Sequence, residues 1–174
     1  MKRLFFALDL KTDDKQAIAL WRDKHPITAK PVQPENFHIT LAFLGQVTSN
    51  IEKALINHLS QINKPKIATE FVLKITKLAH FKKPQVLYLG FDHFPDELKS
   101  LAKALRQLAI AHDIKQETRH YLPHITIFRK VKTLPQFNLP AQLINVSSFS
   151  LYHSESTEAG VQYHPLVSWP ICKL

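Results

Sequence analysis

Two short segments of the chain place a threonine two residues after a histidine. Residues 38–41 are His-Ile-Thr-Leu and residues 124–127 are His-Ile-Thr-Ile. Polar and apolar side chains alternate in both segments, which is typical of a half-buried strand. Because residues i and i+2 of a strand face the same side, each histidine should project together with its threonine. Chance yields roughly 0.05 His-Ile-Thr matches in a chain of this composition, so two matches indicate that the two segments have the same functional role.

A pair of histidines suits the opening of a cyclic phosphodiester. One group must take a proton from water, and another must protonate the leaving ribose oxygen on the opposite side of phosphorus. Imidazole can do either near neutral pH, because its unperturbed pKa is about 6.5. The hydroxyl groups of Thr40 and Thr126 can donate hydrogen bonds to the non-bridging oxygens and stabilise negative charge there. We expect no metal and no cofactor in this chemistry.

A histidine-ligated metal hydrolase is the less favoured alternative. Neither motif contains an acidic residue, and the nearest one, Glu35, lies in a proline-rich loop. The single cysteine, Cys172, cannot build a thiolate zinc site.

Composition and charge limit the remaining classes. The chain has 174 residues, 45% hydrophobic and 21% charged, which predicts one globular domain over residues 1–174. Its net charge of +9 favours polyanionic partners such as nucleic acid. The apolar run at residues 4–8 is too short for a signal peptide or a membrane span. We therefore expect no membrane partner, and the single cysteine predicts a reducing, cytoplasmic location.

Hydrophobic periodicity and breaker residues predict a mixed set of strands and helices. The predicted strands are Leu4–Leu10, His38–Leu44, Phe71–Phe81, Val86–Phe91, His124–Arg129, Val146–Tyr152 and Val161–Val167. The first helix should be capped by Thr12, end near Lys24 and bury a stripe at Ala17, Ile18, Leu20 and Trp21. Ser49 or Asn50 should cap a second helix, Ile51–Ile62. A third should run from Pro95 to His112, with Leu98, Leu101, Leu105 and Leu108 on one face.

The order of these elements repeats. Each half contains a strand, a helix and then a strand that carries His-Ile-Thr, and the two histidines lie almost half the chain apart. This repeat predicts an α+β fold of two intertwined lobes, each an antiparallel-rich sheet with helices on its outer face.

Several stretches of the chain are similar to one known family: Arg3–Leu8, Phe37–Gly45, Val86–Gly90, Pro123–Arg129 and the tail from Leu151 to Trp169. Over nearly its whole length the chain resembles the 2H phosphoesterase superfamily, specifically the RNA 2′,3′-cyclic phosphodiesterases, also called 2′-5′ RNA ligases. The resemblance implies a bilobal, pseudo-two-fold α+β fold whose two sheets face a central cleft. It implies that a monomer hydrolyses RNA 2′,3′-cyclic phosphate ends, such as those of tRNA fragments, to 2′-phosphates.

The resemblance also implies roles for individual residues. His38 would be the acid for the 3′ oxygen and His124 the base acting on water, while Thr40 and Thr126 hold the phosphate. Arg129 matches a family arginine and would contact phosphate. It is an odd number of residues from His124, so it needs a β-bulge or a strand end to face the site.

Three phenylalanines also concern the predicted site. Phe43 and Phe81 are candidates for stacking on the terminal base. Phe43, like Arg129, is an odd number of residues from its histidine and would face away from the site in a regular strand, so core packing is an equal alternative for it. Phe81 stands beside Lys82 and Lys83. Phe128 replaces the small residue usual in the family, and its bulk is expected to alter the cleft near Arg129.

Two alternatives remain open from the sequence. The same site residues would serve a 2′,5′-oligonucleotide phosphodiesterase or a 2′-5′ RNA ligase. A non-catalytic module that binds RNA ends is disfavoured by the intact His-x-Thr pairs.

Overall fold

The structure is a computed structural model that describes residues 1–61, 70–118, 120–158 and 160–171. The helices are α1 (Thr12–Asp23), α2 (Ser49–Gln61) and α3 (Asp96–Ala111), and a 3₁₀ turn covers Pro34–Asn36. The strands are β1 (Lys2–Leu8), β2 (Lys30–Pro31), β3 (Ile39–Val47), β4 (Phe71–Lys74), β5 (Lys77–Phe81), β6 (Val86–Gly90), β7 (His124–Arg129), β8 (Leu143–Val146), β9 (Ser148–Thr157) and β10 (Gly160–Pro170).

These strands form two four-stranded sheets and one separate pair. The first sheet has the order β10-β9-β1-β3, the second β2-β7-β6-β5, and β4 pairs with β8. Neighbouring strands pair antiparallel. The units β1–α1–β3 and β6–α3–β7 each end in the strand that carries a His-x-Thr motif, so the predicted α+β class and repeated order of elements are confirmed.

Helix α3 packs against β3, the motif strand of the first sheet, although it belongs in sequence to the second repeat. Its predicted leucine face is confirmed, since Leu98, Leu101 and Leu105 are buried together with Leu108. Asp96 and Glu97 in its first turn complement the helix dipole. Helix α3 therefore links the second strand–helix–strand unit to the first sheet. No helix in the described ranges is long and apolar enough to cross a membrane.

The predicted apolar stripe of α1 is wrong in part. The buried face consists of Asp14, Ile18, Ala19 and Arg22, whereas Leu20 is 67% exposed. Arg22 can be buried because its polar atoms are satisfied: it donates hydrogen bonds to the Val32 carbonyl and to the carboxylate of Asp23. Its guanidinium also lies over the rings of Phe37 and Phe128.

The helix caps differ slightly from prediction. Thr12 is the first residue of α1, and Lys11 holds the cap position without a side-chain hydrogen bond. In α2 the hydroxyl of Thr48, rather than Ser49 or Asn50, accepts a hydrogen bond from the Ile51 amide. Ile62, the predicted end of α2, lies outside the described residues.

The predicted strand Phe71–Phe81 is in fact two strands. The amide of Ile75 donates to the carbonyl of Gln142, the residue just before β8, whereas the next amide, of Thr76, donates to the carbonyl of Gly90 at the end of β6. The chain thus changes sheet between these two residues, which apolar periodicity alone does not reveal. Strand β8 lies in a stretch with no predicted strand before Val146, and β9 begins two residues later than predicted.

Candidate active site

The imidazole of His38 is held by a main-chain carbonyl. Its Nδ1 lies 2.7 Å from the carbonyl oxygen of Asn36, and only an N–H can bond to that acceptor. The neutral ring therefore carries its lone pair on Nε2, which lies 3.1 Å from the Thr40 hydroxyl. The histidine and threonine project together, as the strand pattern predicts.

His124 is held in the same way. Its Nδ1 lies 2.8 Å from the carbonyl oxygen of Leu122, again two residues earlier in the chain. The neutral ring of His124 is thus the same tautomer as that of His38. The two motifs share this detail of backbone geometry although the residues before them differ.

The fold brings the two motifs together. The phenol of Tyr121, three residues before His124, donates a 3.1 Å hydrogen bond to the Thr40 carbonyl oxygen. Strands β3 and β7 contact each other. Charge on His124 and Arg129 lowers the pKa of His38, which requires both groups to lie near its ring.

Each histidine is packed between two aromatic rings. The His38 ring lies 4.9 Å from Phe5 and 5.0 Å from Tyr163, measured between ring centroids. The His124 ring lies 5.2 Å from Phe81 and 5.1 Å from Tyr88. These contacts restrict each imidazole to one orientation. Phe81, a candidate for stacking on the terminal base, is the last residue of β5 and is half-buried, with its ring stacked on Tyr88 at 4.3 Å.

A β-bulge follows each motif. Phe6 and Ala7 pair with Ala42 and Thr40, so Leu41 is an extra residue in β3. Ile127 is the corresponding extra residue in β7, because Leu87 and Tyr88 pair with Phe128 and Thr126.

An extra residue reverses the alternation of the strand beyond it, so Phe43 and Arg129 face the same side as the histidines. Phe43 is accordingly 48% exposed, with the Arg3 guanidinium over its ring, and Arg129 is exposed. The bulge that Arg129 requires is therefore present, and the core alternative for Phe43 is wrong.

The expectation for Phe128 is also wrong. The bulge turns this residue into the core, where it is 4% exposed and packs against the Arg22 guanidinium. Ala42 holds the corresponding position after the first bulge and is buried as well. The bulk of Phe128 therefore fills space behind the sheet and leaves the face near Arg129 unchanged.

Burial lowers the pKa of His38 to about 4. The hydrogen bond to Asn36 opposes this effect, whereas the charges of His124, Lys15 and Arg129 add to it. His38 is thus neutral at pH 7 in the unliganded site. Burial also lowers the pKa of Lys15, whose ammonium donates a 2.8 Å hydrogen bond to the Glu35 carbonyl.

Four residues beside His38 escaped the sequence prediction: Phe5, Lys15, Asn36 and Tyr163. The sequence does indicate the orientation of Phe5: side chains alternate along a strand, so Phe5 must face the opposite side of the sheet from Leu4 and Phe6. It packs in a small separate cluster with Ala7, Tyr152 and Tyr163.

The sequence does not indicate the roles of Asn36 and Lys15, because their hydrogen-bond partners are main-chain atoms distant in sequence. The Asn36 amide donates to the Val161 carbonyl at 2.7 Å and accepts from the Tyr163 amide at 3.1 Å, which ties the Pro34–Asn36 turn to β10.

Two cavities are lined by residues outside the two motifs. One of about 330 Å³ lies beside α3 and is lined by residues that include Lys103, Arg106 and Tyr121, and the other, of about 460 Å³, is lined by His25 and Gln136–Asn138. In the part of the chain that the structure describes, no cluster of three or more His, Cys, Asp or Glu side chains could hold a metal ion.

Comparison with known proteins identifies the family. Residues 8–88 match the family model described as LigT like phosphoesterase. The RNA 2′,3′-cyclic phosphodiesterase of Escherichia coli K12 is 34% identical over 98% of this chain and 97% of its own length. The chain belongs to the LigT-like phosphoesterase family. This membership confirms the 2H phosphoesterase resemblance.

Further LigT-like relatives agree in sequence and in fold. The Thermotoga maritima RNA 2′,3′-cyclic phosphodiesterase is 29% identical over 94% of this chain and 92% of its own. The crystal structure of E. coli LigT complexed with 3′-AMP superposes with a TM-score of 0.89 at 32% identity and covers 99% of both chains. The predicted fold class is thereby confirmed.

Proposed function

We propose that this LigT-like phosphoesterase hydrolyses RNA 2′,3′-cyclic phosphate ends to 2′-phosphates, with His38 and His124 as the two proton-transfer residues. The observation that carries the proposal is the matched tautomer: each Nδ1 is bonded to the carbonyl two residues earlier. Both neutral rings therefore carry their lone pair on Nε2, the atom through which each would exchange protons with the substrate. The names of the relatives in Escherichia coli and Thermotoga maritima support the same activity.

The reaction assigns one proton transfer to each ring. A water oxygen attacks phosphorus while His124 Nε2 takes the water proton. The bond from phosphorus to the ribose 3′ oxygen breaks, and that oxygen receives the proton of His38 Nε2. The products are a 2′-phosphate and a free 3′ hydroxyl, and the proton gained by His124 returns to solvent as His38 is reprotonated.

This assignment requires His38 to gain a proton before the bond breaks. Its pKa is about 4 in the unliganded site. A cyclic phosphate carries one negative charge, and an anion in contact with an imidazole raises its pKa. Substrate binding therefore raises the pKa of His38, so that its ring takes up the proton that the leaving oxygen later receives. The Thr40 and Thr126 hydroxyls and the Arg129 guanidinium hold the non-bridging oxygens.

The aromatic residues on the histidine side of the sheets provide surfaces for the terminal nucleotide. Phe43 is exposed, and Phe81 is half-buried against the His124 ring. A base stacked on either ring gains affinity whatever its identity, since every base has an aromatic face. We expect weak preference among the four bases at the RNA end.

The wider setting belongs to the same proposal. Residues 1–174 act as one domain, which is supported by the packing of α3 on β3 and by the Tyr121–Thr40 hydrogen bond between the repeats. We expect this domain to act as a monomer. The partner is RNA, tRNA fragments included, and the single cysteine supports a cytoplasmic location.

The test is hydrolysis of a short RNA with a 2′,3′-cyclic end, with the product phosphate located by phosphorus NMR. We expect a 2′-phosphate, and a loss of about 10²–10⁴-fold in kcat for His38→Ala and for His124→Ala. His58→Ala, an exposed histidine on α2, is the control and should retain full activity. A 3′-phosphate product, cleavage of 2′,5′-linked RNA alone, or binding without turnover would each contradict the proposal.

A further inference from the structure

Four exposed lysines gather at one end of the second sheet: Lys82, Lys83, Lys130 and Lys132, here called the lysine edge. Lys82 and Lys83 lie in the turn between β5 and β6, and Lys130 and Lys132 directly follow β7. The amide of Val131 donates to the Gln85 carbonyl at 3.0 Å, which binds the segment after β7 to that turn. His80 Nε2 lies 2.8 Å from the Val131 carbonyl oxygen and fixes the same segment.

Strand pairing joins the lysine edge to the motif. Phe81 pairs with Val86, Val86 with Arg129, and Arg129 with Lys30, so one row crosses all four strands of the sheet. Phe81, which contacts the His124 ring, immediately precedes Lys82. Arg129, whose charge acts on His38, immediately precedes Lys130. A ligand leaving the histidines along this row reaches the lysine edge next.

The charge at this edge is uniform. No acidic residue occurs in residues 24–34, 77–91 or 124–138, which supply the strands and turns of this end. None of the four lysines forms an ion pair within the described ranges of the chain. Glu158 stands in the β9–β10 turn, whose Gly160 lies near the Lys30 ammonium. We therefore leave Lys30 out of the lysine edge.

The geometry points to a backbone-binding surface: we infer that the lysine edge holds the phosphodiester backbone of a single-stranded RNA whose cyclic phosphate lies at the two histidines. The inference rests on the proposed function and adds a second contact surface for the RNA, separate from the two histidines. Ammonium groups bind phosphates without reading the bases, so this surface adds affinity for length and none for sequence.

The surface acts on binding and leaves the reacting atoms untouched. Lysine contacts to upstream phosphates lower KM for an oligonucleotide, because they are made equally in the ground state and the transition state. They do nothing for a 2′,3′-cyclic mononucleotide, which has no upstream phosphate.

The experiment compares two triple variants of equal charge. Lys82→Gln, Lys83→Gln and Lys132→Gln remove three charges of the lysine edge. Lys130 is kept because its backbone, with φ of 62°, lies in the left-handed region. The control combines Lys53→Gln, Lys74→Gln and Lys103→Gln, exposed positions on α2, β4 and α3. Both are assayed on a short single-stranded RNA with a cyclic end and on 2′,3′-cyclic AMP.

We expect the edge variant to lose on the order of tenfold in kcat/KM on the RNA at low salt, all of it in KM. Its activity on cyclic AMP should equal that of the wild type, and the control variant should match the wild type on both substrates. The dependence of log KM on log salt should weaken by about 0.7 for each phosphate contact removed. Equal losses in both variants, equal losses on both substrates, or no loss would overturn the inference.

A binding measurement tests the lysine edge independently of catalytic activity. Fluorescence anisotropy with a short RNA ending in a 2′-phosphate measures the lysine edge without turnover. If the wild type hydrolysed neither substrate, the proposed function would fall. Weaker binding by the edge variant alone would then still support the surface, and equal binding by all three proteins would reject it.

Discussion

The Tyr121 phenol donates a 3.1 Å hydrogen bond to the carbonyl oxygen of Thr40 and so joins the segment before one motif to the strand of the other. The phenol is largely buried, and burial raises its pKa, so it remains a neutral donor at every physiological pH. A neutral donor and a main-chain acceptor give this link no dependence on pH or salt. This hydrogen bond and the contacts between β3 and β7 together hold the two motifs in place.

Tyr121→Phe should loosen the site while preserving the fold. Loss of one buried hydrogen bond costs about 1 kcal/mol of the free energy of unfolding, more if the Thr40 carbonyl is left without a partner. We expect a several-fold lower kcat as well, because the segment before His124 is then held less firmly against the Thr40 strand. Urea unfolding and steady-state kinetics measure the two effects. Tyr152→Phe removes a phenol bond to Asp9 instead, so it should lower stability with little change in kcat.

The pKa of His38 predicts a pH dependence of stability. The unfolded chain binds a proton at about pH 6.5, whereas the folded chain binds it only near pH 4. Between these values the unfolded state holds more protons, so the free energy of unfolding decreases as pH falls from about 6.5 towards 4. His38→Asn should flatten this slope, and His58→Asn should leave it unchanged.

Nitrogen NMR of the His38 ring follows the same group directly. In ligand-free protein we expect titration near pH 4. Inorganic phosphate should move the midpoint upwards, since a bound anion favours the imidazolium. A free-protein midpoint at the ordinary histidine value, unchanged by phosphate, would contradict both the burial effect and the proposed recruitment of a proton by substrate.

The assignment of acid and base can be tested with the leaving group. p-Nitrophenolate leaves without protonation, so a phosphodiester that carries it needs the base and hardly needs the acid. His38→Ala should therefore lose much less activity on this substrate than on the cyclic phosphate. His124→Ala should be severely impaired on both. The reverse pattern would exchange the two roles, and equal damage would mean that both histidines mainly bind phosphate.

The threonines should matter less than the histidines. Thr40→Ala and Thr126→Ala each remove one donor to the phosphate oxygens, comparable to one oxyanion contact, and should cost roughly 10²–10³-fold in kcat at most. The Val variants test whether shape alone rescues activity. Our assignment of roles predicts that neither threonine variant is less active than both histidine alanine variants.

We predict that the activity is independent of metal ions, because neither His-x-Thr motif contains a carboxylate that could complete a metal site. Activity on the cyclic-ended RNA should survive excess EDTA followed by gel filtration. Loss of activity with recovery on added zinc or manganese would overturn the acid–base mechanism.

The sequence predicts some features of this site and conceals others, for identifiable reasons. His38, Thr40, His124 and Thr126 stand in local alternating patterns, and such patterns survive folding. The bulges at Leu41 and Ile127 do not appear in the sequence, because an extra residue is defined only by pairing with the neighbouring strand. The side faced by residues beyond a bulge is therefore a property of the sheet.

Long-range satisfaction of polar groups explains other differences. Arg22 takes the place of an apolar residue in the buried face of α1. Its guanidinium donates hydrogen bonds to Val32 and Asp23 and lies over two aromatic rings. Hydrophobic periodicity has no means of anticipating such partners. The leucines of α3 need no polar partner, and their burial follows from spacing alone.

The carbonyl oxygens of Asn36 and Leu122 that hold the two imidazoles have a consequence for sequence drift. Every amino acid supplies a main-chain carbonyl, so no substitution at either position deletes the acceptor itself. Residue 122 can therefore vary with little effect on the imidazole it orients, and its side chain is exposed. Residue 36 has less freedom, because its own amide ties the turn to β10. The two halves of a duplicated motif thus tolerate different amounts of change at equivalent positions.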